Sequence, residues 1–440
     1  MKNTVKPAPG SPAWQIETLA ESAKHLAKNG DISGAEKIYE KILEVAPYHV
    51  RSLNALAARA MERGDIKRAK TLIERAIQVA PDRFILHENF GHILNALDEK
   101  ELALTSFIKA AELRPNFVYP LICQAMTLES MGRLEEAAIV YARIVKLAPD
   151  PNVVAMDDLI PARKRPLVLK AIASFRQIMY QFLHDALREP IAEFGGPALQ
   201  RVVECAKIKS GISKPVYQHA LQHPDWLYVP GIKPHAFFDP SEFEWVTEFQ
   251  SHTSQVKNEL VTLLESKAQL EPYVKIEGKG DKQQWTTLNY SAAWSSYHFL
   301  KASGPITENC ERCPATIAAL QHIPLVQITQ HAPEVFFSIL QPGTHIPPHH
   351  GLGNYKLAVH LPLLIPDKCR IRVGHETRGW SEGQCMIFDD SFQHEAWNDS
   401  EHIRAVLIME IWNPELSEAE RIGVQKIVEG INAFNEKYGL

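Results

Sequence analysis

Apolar residues in the first 150 positions follow the three- and four-residue steps of amphipathic helices, and the residues that interrupt them recur at a fixed interval. Pro47, Pro81, Pro115 and Pro149 stand 34 residues apart, as do Gly30, Gly64, Asp98 and Gly132. Ala35, Ala69, Ala103 and Ala137 repeat the step, and so do Tyr39, Ile73, Phe107 and Tyr141. Over 151–224 this register is lost while the helical pattern persists, as in MDDLIPARKRPLVLKAIASFRQIMYQFLHDAL, until Gly195, Gly196 and Pro197 break it. From about 225 onward aromatics, prolines and β-branched residues rise, and the period shortens towards 2, the alternation of half-buried strands. One helical stretch interrupts the strands at 241–266, where Ser241 and Glu244 suit a capping box and the helix is expected on the outside of a sheet.

Four registers in phase resemble the tetratricopeptide repeat, a helical hairpin of about 34 residues. On that resemblance the alanines sit where paired helices touch, and the Gly or Asp position permits the tight turn between them. The Tyr, Ile or Phe fills the groove against the next unit, and the proline closes the second helix. The predicted architecture is multidomain, α and β. A flexible tail at 1–13 leads into an α-solenoid of repeats at 14–150 and a helical cap and connector at 151–224. A double-stranded β-helix, or jelly roll, with flanking helices occupies 225–440. A solenoid of this kind most often docks a peptide or protein on its concave face; the plainer role is support for the following domain or for a dimer.

Composition narrows the functional classes. A chain of 440 residues with 45% apolar content holds material for more than one core. The formal charge of −5, with no long basic run, argues against nucleic acid as a partner, and Arg163, Lys164 and Arg165 read as a solvated helix face. No apolar run reaches the length of about 18 residues that a transmembrane helix needs. The opening segment MKNTVKPAPGSPAW lacks the apolar core of a signal peptide, so a cytoplasmic protein is expected. Six scattered cysteines do not make a secreted disulfide framework, and the CxxC at Cys310 and Cys313 has no second pair to complete a zinc site.

The candidate chemistry lies in the β-rich part. His349 and His394, 45 positions apart, fall in HIPPHHGLGNYKLAVH (345–360) and IFDDSFQHEAWNDSEHIRAVLIMEIW (387–412), and Arg404 follows ten residues after His394. Imidazoles from distant strand segments can converge inside a barrel. Nitrogen donors suit Fe(II) and a guanidinium suits a carboxylate, so the three read as a site for iron and 2-oxoglutarate. The turn signal NDS at 398–400 predicts a hairpin centred on Asp399 that sets His394 opposite Arg404. Lys356, Ala358 and His360 share parity and therefore one face of a strand. His345, His349 and His350 fall in a Pro-Pro segment that excludes a helix interior and predicts a rim or loop. The bland alternative is a jelly roll whose histidines, 19 in all, only satisfy core or surface hydrogen bonds.

The blocks PGTHIPPHHG, the final histidine of YKLAVH and IFDDSFQHEAWNDSEHIR, with YVPGI and WNPEL near the ends of 225–416, resemble the aspartyl/asparaginyl β-hydroxylase family. These are Fe(II)- and 2-oxoglutarate-dependent dioxygenases, and known members join the domain to tetratricopeptide repeats. The resemblance implies His349 and His394 as iron ligands, and Trp285, Ser338, His360 and Arg404 as 2-oxoglutarate contacts. Most oxygenases of this type place an Asp or Glu two residues after the first histidine; here that place is Gly351, which leaves the metal two protein ligands. Asp389, Asp390 and Glu395 are candidate substitutes, Glu395 the poorest because strand neighbours face opposite ways. A family arginine aligns with Ala358, and Lys356 on the same face is its candidate replacement, as a point charge instead of a bidentate fork.

The resemblance implies a hydroxylase that consumes molecular oxygen and 2-oxoglutarate, with His349, His394 and Arg404 as the catalytic set. Its expected substrate is an Asp, Asn or Pro side chain of a protein or peptide recruited by the repeats. Two other readings stay open. One is hydroxylation of a lipid acyl chain or small molecule, since related domains act on lipid A; the other is a non-catalytic repeat adaptor with an inactive jelly roll.

Overall fold

The computed structural model describes residues 8–147, 165–277 and 283–440. Pro149, Arg163, Lys164 and the first seven positions lie outside the described residues. The chain divides into two compact units, Met1–Phe175 with Tyr438–Leu440, and Arg176–Lys437.

The first unit is an array of helical hairpins: α1 (Pro12–Lys28), α2 (Ile32–Val45), α3 (Val50–Glu62), α4 (Ile66–Val79), α5 (Phe84–Ala96), α6 (Lys100–Leu113), α7 (Val118–Ser130) and α8 (Leu134–Leu147). Each odd-numbered helix packs on its successor, and each pair on the next. Gly30, Gly64, Asp98 and Gly132, the turn positions of the repeat, all adopt positive φ, 93°, 82°, 61° and 76°. A side chain with a Cβ is strained in that left-handed region, which accounts for glycine at three of the four places. Asp31 and Asp65 then cap α2 and α4, accepting from the backbone N–H of Gly34 and Arg68. The repeated alanines and the repeated Tyr39, Ile73, Phe107 and Tyr141 are all buried. Pro47, Pro81 and Pro115 follow the ends of α2, α4 and α6, where no backbone donor is needed. The array is that of tetratricopeptide repeats.

In the second unit two antiparallel sheets face each other. The larger contains β1 (Phe237–Phe238), β2 (Glu271–Pro272), β3 (Trp294–Lys301), β4 (Gly304–Pro305), β5 (Val335–Leu340), β7 (Lys356–Leu364), β10 (Met386–Phe388) and β12 (Arg404–Trp412), ordered β1-β10-β7-β12-β5-β3-β2 with β4 on β3. The smaller runs β6-β11-β8-β9, from β6 (Thr344–His349), β8 (Cys369–Val373), β9 (Glu376–Arg378) and β11 (His394–Asn398). From β5 to β12 the chain passes back and forth between the sheets, the crossing pattern of a jelly roll. Pro347 and Pro348 sit in β6, an edge strand, where a missing donor breaks no ladder. The Pro-Pro segment is thus a strand ending at His349 instead of the expected loop.

Period-2 alternation assigns the two faces of the large sheet. Val335, Phe337 and Ile339 of β5, Leu357, Val359 and Leu361 of β7, and Leu407, Met409 and Ile411 of β12 point outward and pack against Val246, Phe249, Val256, Leu260 and Leu263. Those five belong to Val246–Ser251 and Thr253–Glu265, two helices where the pattern at 241–266 predicts one. The expected Ser241 cap is also displaced: Asp239 caps a preceding 3-10 turn, Pro240–Glu242, by accepting from the Ser241 N–H. Helices Arg188–Phe194 and Gln200–Ser210, parted at Gly195 to Leu199, share a second core with Val424, Ile427, Val428 and Ile431 of the helix Glu418–Tyr438. Among the described residues no helix is long and apolar enough to cross a membrane. The six cysteines form no disulfide.

Candidate active site

Between the sheets lies a cavity of about 580 Å³. Trp285, Ser338, His349, His360, His394 and Arg404, the six residues singled out from the sequence, all line it. Lys356, Ala358 and His360 share its wall, as their parity requires.

His349 and His394 are direct partners across β6 and β11, and their ring centroids are 4.0 Å apart. His349 Nδ1 lies 2.8 Å from the Pro347 carbonyl, and His394 Nδ1 lies 2.9 Å from the Phe392 carbonyl. A carbonyl only accepts, so both Nδ1 atoms carry the proton and both Nε2 atoms keep a lone pair. Burial pushes the His349 pKa down to about 4 and that of His394 well below its ordinary value, so both imidazoles are neutral at physiological pH. Two neutral, oriented imidazoles with free Nε2 atoms are the donor set a divalent transition metal takes. Trp285 meets the His349 ring edge-on at 5.1 Å.

His394 does not face Arg404 across a hairpin, contrary to the reading of the NDS turn. β11 pairs with β6 and β8, whereas β12 pairs with β5 and β7 in the other sheet, so Arg404 is opposite Leu340. The turn itself exists: Asn398 Nδ2 donates to the carbonyls of Leu340, Gln341 and His402. It carries the chain from one sheet to the other, and the two residues look into the cavity from opposite walls.

Arg404 is 1% exposed and, among the described residues, has no acidic partner. Its Nη1 makes only a long contact of 3.4 Å to Ser338 Oγ, its Nε has no hydrogen-bond acceptor, and its guanidinium lies 4.7 Å from the Trp380 ring. Burial lowers its pKa to about 10, still charged at neutral pH. Ser338 Oγ accepts from Trp294 Nε1 at 3.0 Å, which leaves its own O–H to donate. The Trp380 indole donates to His360 Nδ1 at 3.3 Å, so the His360 proton is on Nε2. Arg404, Ser338 and His360 therefore gather donors without acceptors at one end of the cavity, an arrangement that suits a carboxylate. Trp380 was missed in the sequence, where nothing in its local pattern marks it.

None of the candidate substitute carboxylates completes a metal cluster. Among the described residues no group of three or more His, Cys, Asp and Glu side chains has metal-holding geometry. Glu395 is turned away, held by Arg372 Nε at 2.6 Å and His345 Nε2 at 2.8 Å. Asp389 accepts from Gln222 Nε2 at 2.7 Å and from the Ser391 N–H at 2.9 Å. Asp390 lines the cavity, and its carboxyl fills the space beside Gly351: a Cβ added there would lie 2.2 Å from Asp390 Cγ. Burial raises the Asp390 pKa to about 7. At the far end Lys356 is ion-paired with Glu410, and Tyr273 stacks on Trp294 at 4.2 Å and on Phe336 at 5.1 Å.

Residues 250–414 match the family described as aspartyl/asparaginyl beta-hydroxylase, and residues 124–151 match the tetratricopeptide repeat. Over 136 residues the chain is 39% identical to the aspartyl/asparaginyl beta-hydroxylase of Homo sapiens, covering 30% of this chain and 18% of that one. Over 185 residues it is 32% identical to the ornithine lipid ester-linked acyl 2-hydroxylase of Rhizobium tropici, covering 41% of this chain and 62% of that one. A solved structure titled as YrrB, a TPR protein with an unusual peptide-binding site, is 21% identical and covers 36% of this chain and 84% of that one, with a TM-score of 0.29. The chain thus carries an aspartyl/asparaginyl β-hydroxylase-family domain together with tetratricopeptide repeats, and it spans less than two thirds of the length of these two hydroxylases.

Proposed function

We propose that the jelly-roll domain is an Fe(II)- and 2-oxoglutarate-dependent dioxygenase that hydroxylates an Asp, Asn or Pro side chain of a protein or peptide, with the repeat array recruiting that substrate. One observation carries the reading: a fully buried guanidinium opens into the same cavity as two facing imidazoles, and among the described residues it has no acidic partner and both Nε2 atoms are free. A charge kept in the interior without a partner is costly, and a ligand that neutralises it relieves the cost.

His349 and His394 would hold the iron, and Arg404, Ser338 and His360 the distal carboxylate of 2-oxoglutarate. When bound, iron and 2-oxoglutarate supply the oxidation, with molecular oxygen as co-substrate and succinate and carbon dioxide as products. The backbone carbonyls of Pro347 and Phe392 fix the tautomer and direction of both imidazoles. Trp285, Trp294, Tyr273 and Phe336 give the cavity an aromatic wall. Lys356 does not offer a free charge in place of the family arginine, because Glu410 already neutralises it.

The test is succinate release from 2-oxoglutarate with added Fe(II), followed by mass spectrometry for one added oxygen in peptides of a lysate incubated with the protein. Absence of any iron-dependent succinate release refutes the reading. The similarity to the acyl 2-hydroxylase, which spans more of this chain than that to the human hydroxylase, favours a second reading in which the target is an acyl chain. Oxygen added to extracted lipids and to no peptide would decide for it.

A further inference from the structure

Among the described residues three Lys or Arg side chains line the cavity, Lys275, Lys356 and Arg404, and so do three acidic ones, Glu334, Asp390 and Glu410. Lys275, half exposed, shares Glu271 with Lys301 at 2.8 and 3.1 Å, and Lys356 is paired with Glu410. The proposed function gives Arg404 to the cofactor's carboxylate. Among the described residues, the wall around Ala358 then offers a substrate carboxylate only a methyl group and the neutralised Lys356.

On the acidic side the balance is the reverse. Glu334 stands at the head of β5 with the parity of Phe336 and Ser338, so it faces the cavity. Its backbone N–H donates to Glu410 Oε2 at 3.2 Å, and both side chains line the cavity. Lys356 neutralises one of them; among the described residues no cation pairs with the other. Asp390 adds a further acid whose Oδ1 is shut off from solvent without a hydrogen-bond partner. Burial, and then the neighbouring Glu410, raises the Glu334 pKa despite the opposing effect of Lys356 and Lys301. On β12 the two poles lie on one face, Arg404 at one end and Glu410 six residues on, about 20 Å apart at strand rise.

We propose that the substrate carries an ammonium or guanidinium group that pairs with Glu334, so that the hydroxylated position is presented beside a cationic side chain such as Lys or Arg and is not itself held as a carboxylate. This rests on the oxygenase reading for the word substrate, but the binding preference stands or falls separately. Among the side chains considered above, it selects against Asp.

The test titrates the full chain, loaded with Mn(II) and 2-oxoglutarate, with Nα-acetyl-lysine amide, Nα-acetyl-arginine amide and Nα-acetyl-aspartate amide, followed by ligand-observed NMR. Either cationic probe should bind at least about tenfold more tightly than the aspartate probe, the lower end of what one charge-assisted contact contributes. Glu334→Gln should remove that preference and Glu334→Lys should reverse it, each checked for an unchanged thermal midpoint. Equal binding of the probes, tighter binding of the aspartate probe, or a preference that survives both substitutions overturns the proposal, as does a lack of binding by all three. Succinate release by the wild type without any probe reports on the oxygenase reading alone. Its failure beside an intact lysine preference would sink that reading and leave the cation site standing.

Discussion

Replacing Arg404 by methionine should stabilise the ligand-free protein and weaken its response to 2-oxoglutarate. Arg404 is 1% exposed and, among the described residues, has no carboxylate partner and no acceptor for its Nε. A guanidinium brought from 12.5 to about 10 by burial costs about 3 kcal/mol of native-state stability. Both folded and unfolded states hold the proton at pH 7, so the depressed value makes the cost present in full there, and it stays constant until pH approaches 10. Methionine retains much of the side-chain volume and removes the charge, so Arg404→Met should recover about 1–3 kcal/mol, after loss of the Trp380 contact and the weak Ser338 bond. For a domain of this size that raises the melting temperature by roughly 2–4 °C per kcal/mol. The same change removes a charge-assisted bond of about 1.5–3 kcal/mol to the cofactor, a weakening of about 10–150-fold. Thermal denaturation of both proteins, with and without 2-oxoglutarate in the presence of Mn(II), reads the two effects together. A large drop in the ligand-free midpoint would show that the guanidinium already has a favourable native partner, and an undiminished 2-oxoglutarate shift would show that the anion binds elsewhere. Either result refutes the reasoning.

His349→Ala or His394→Ala should eliminate succinate release, whereas His345→Ala should leave most of it, because the His345 side chain is half exposed and engaged with Glu395 outside the cavity; equal losses in all three would disprove the ligand choice. Burial holds His298 near a pKa of about 4, below its unfolded value, so the native state binds fewer protons and stability should fall as pH drops through 6.5 towards 4. His298→Phe, stacked on Phe336, should flatten that slope by about 1–2 kcal/mol, and melting curves between these pH values that superimpose would contradict it. Asp98→Gly relieves a non-glycine residue at φ 61° and should stabilise the repeat unit by up to about 1 kcal/mol, read as a higher midpoint in urea. Gly351→Asp should inactivate by collision with the Asp390 carboxyl, and Gly351→Asp with Asp390→Gly should regain metal binding; a fully active single substitution would show that the two side chains do not share that space.

What the sequence made legible follows from the range of the interactions concerned. The repeat array announces itself because each hairpin solves the same local problem: a left-handed turn at Gly30, Gly64 and Gly132 and a helix contact at Ala35, Ala69 and Ala137 recur with the chain's own period. Asp98 is readable only through its phase, since nothing local demands an Asp at φ 61°. Parity placed Lys356, Ala358 and His360 on one wall, because a strand's alternation needs no knowledge of its partners. The same rule would have added Ile408 and Glu410 to the wall that holds Arg404, and Glu334 to the face of Ser338. The hairpin centred on Asp399 failed for the opposite reason: it assumed that strands adjacent in sequence are adjacent in a sheet, whereas here Asn398 ties down a crossing between sheets. A jelly roll pairs strands far apart in the chain, so His394 meets His349 through a contact 45 residues long that no turn signal encodes. The charge logic of the cavity belongs to the same class. Whether Lys356 is free or neutralised depends on Glu410, 54 residues away on the neighbouring strand, and that pairing leaves the wall beside Ala358 without the pull on an anion that a lone lysine would exert.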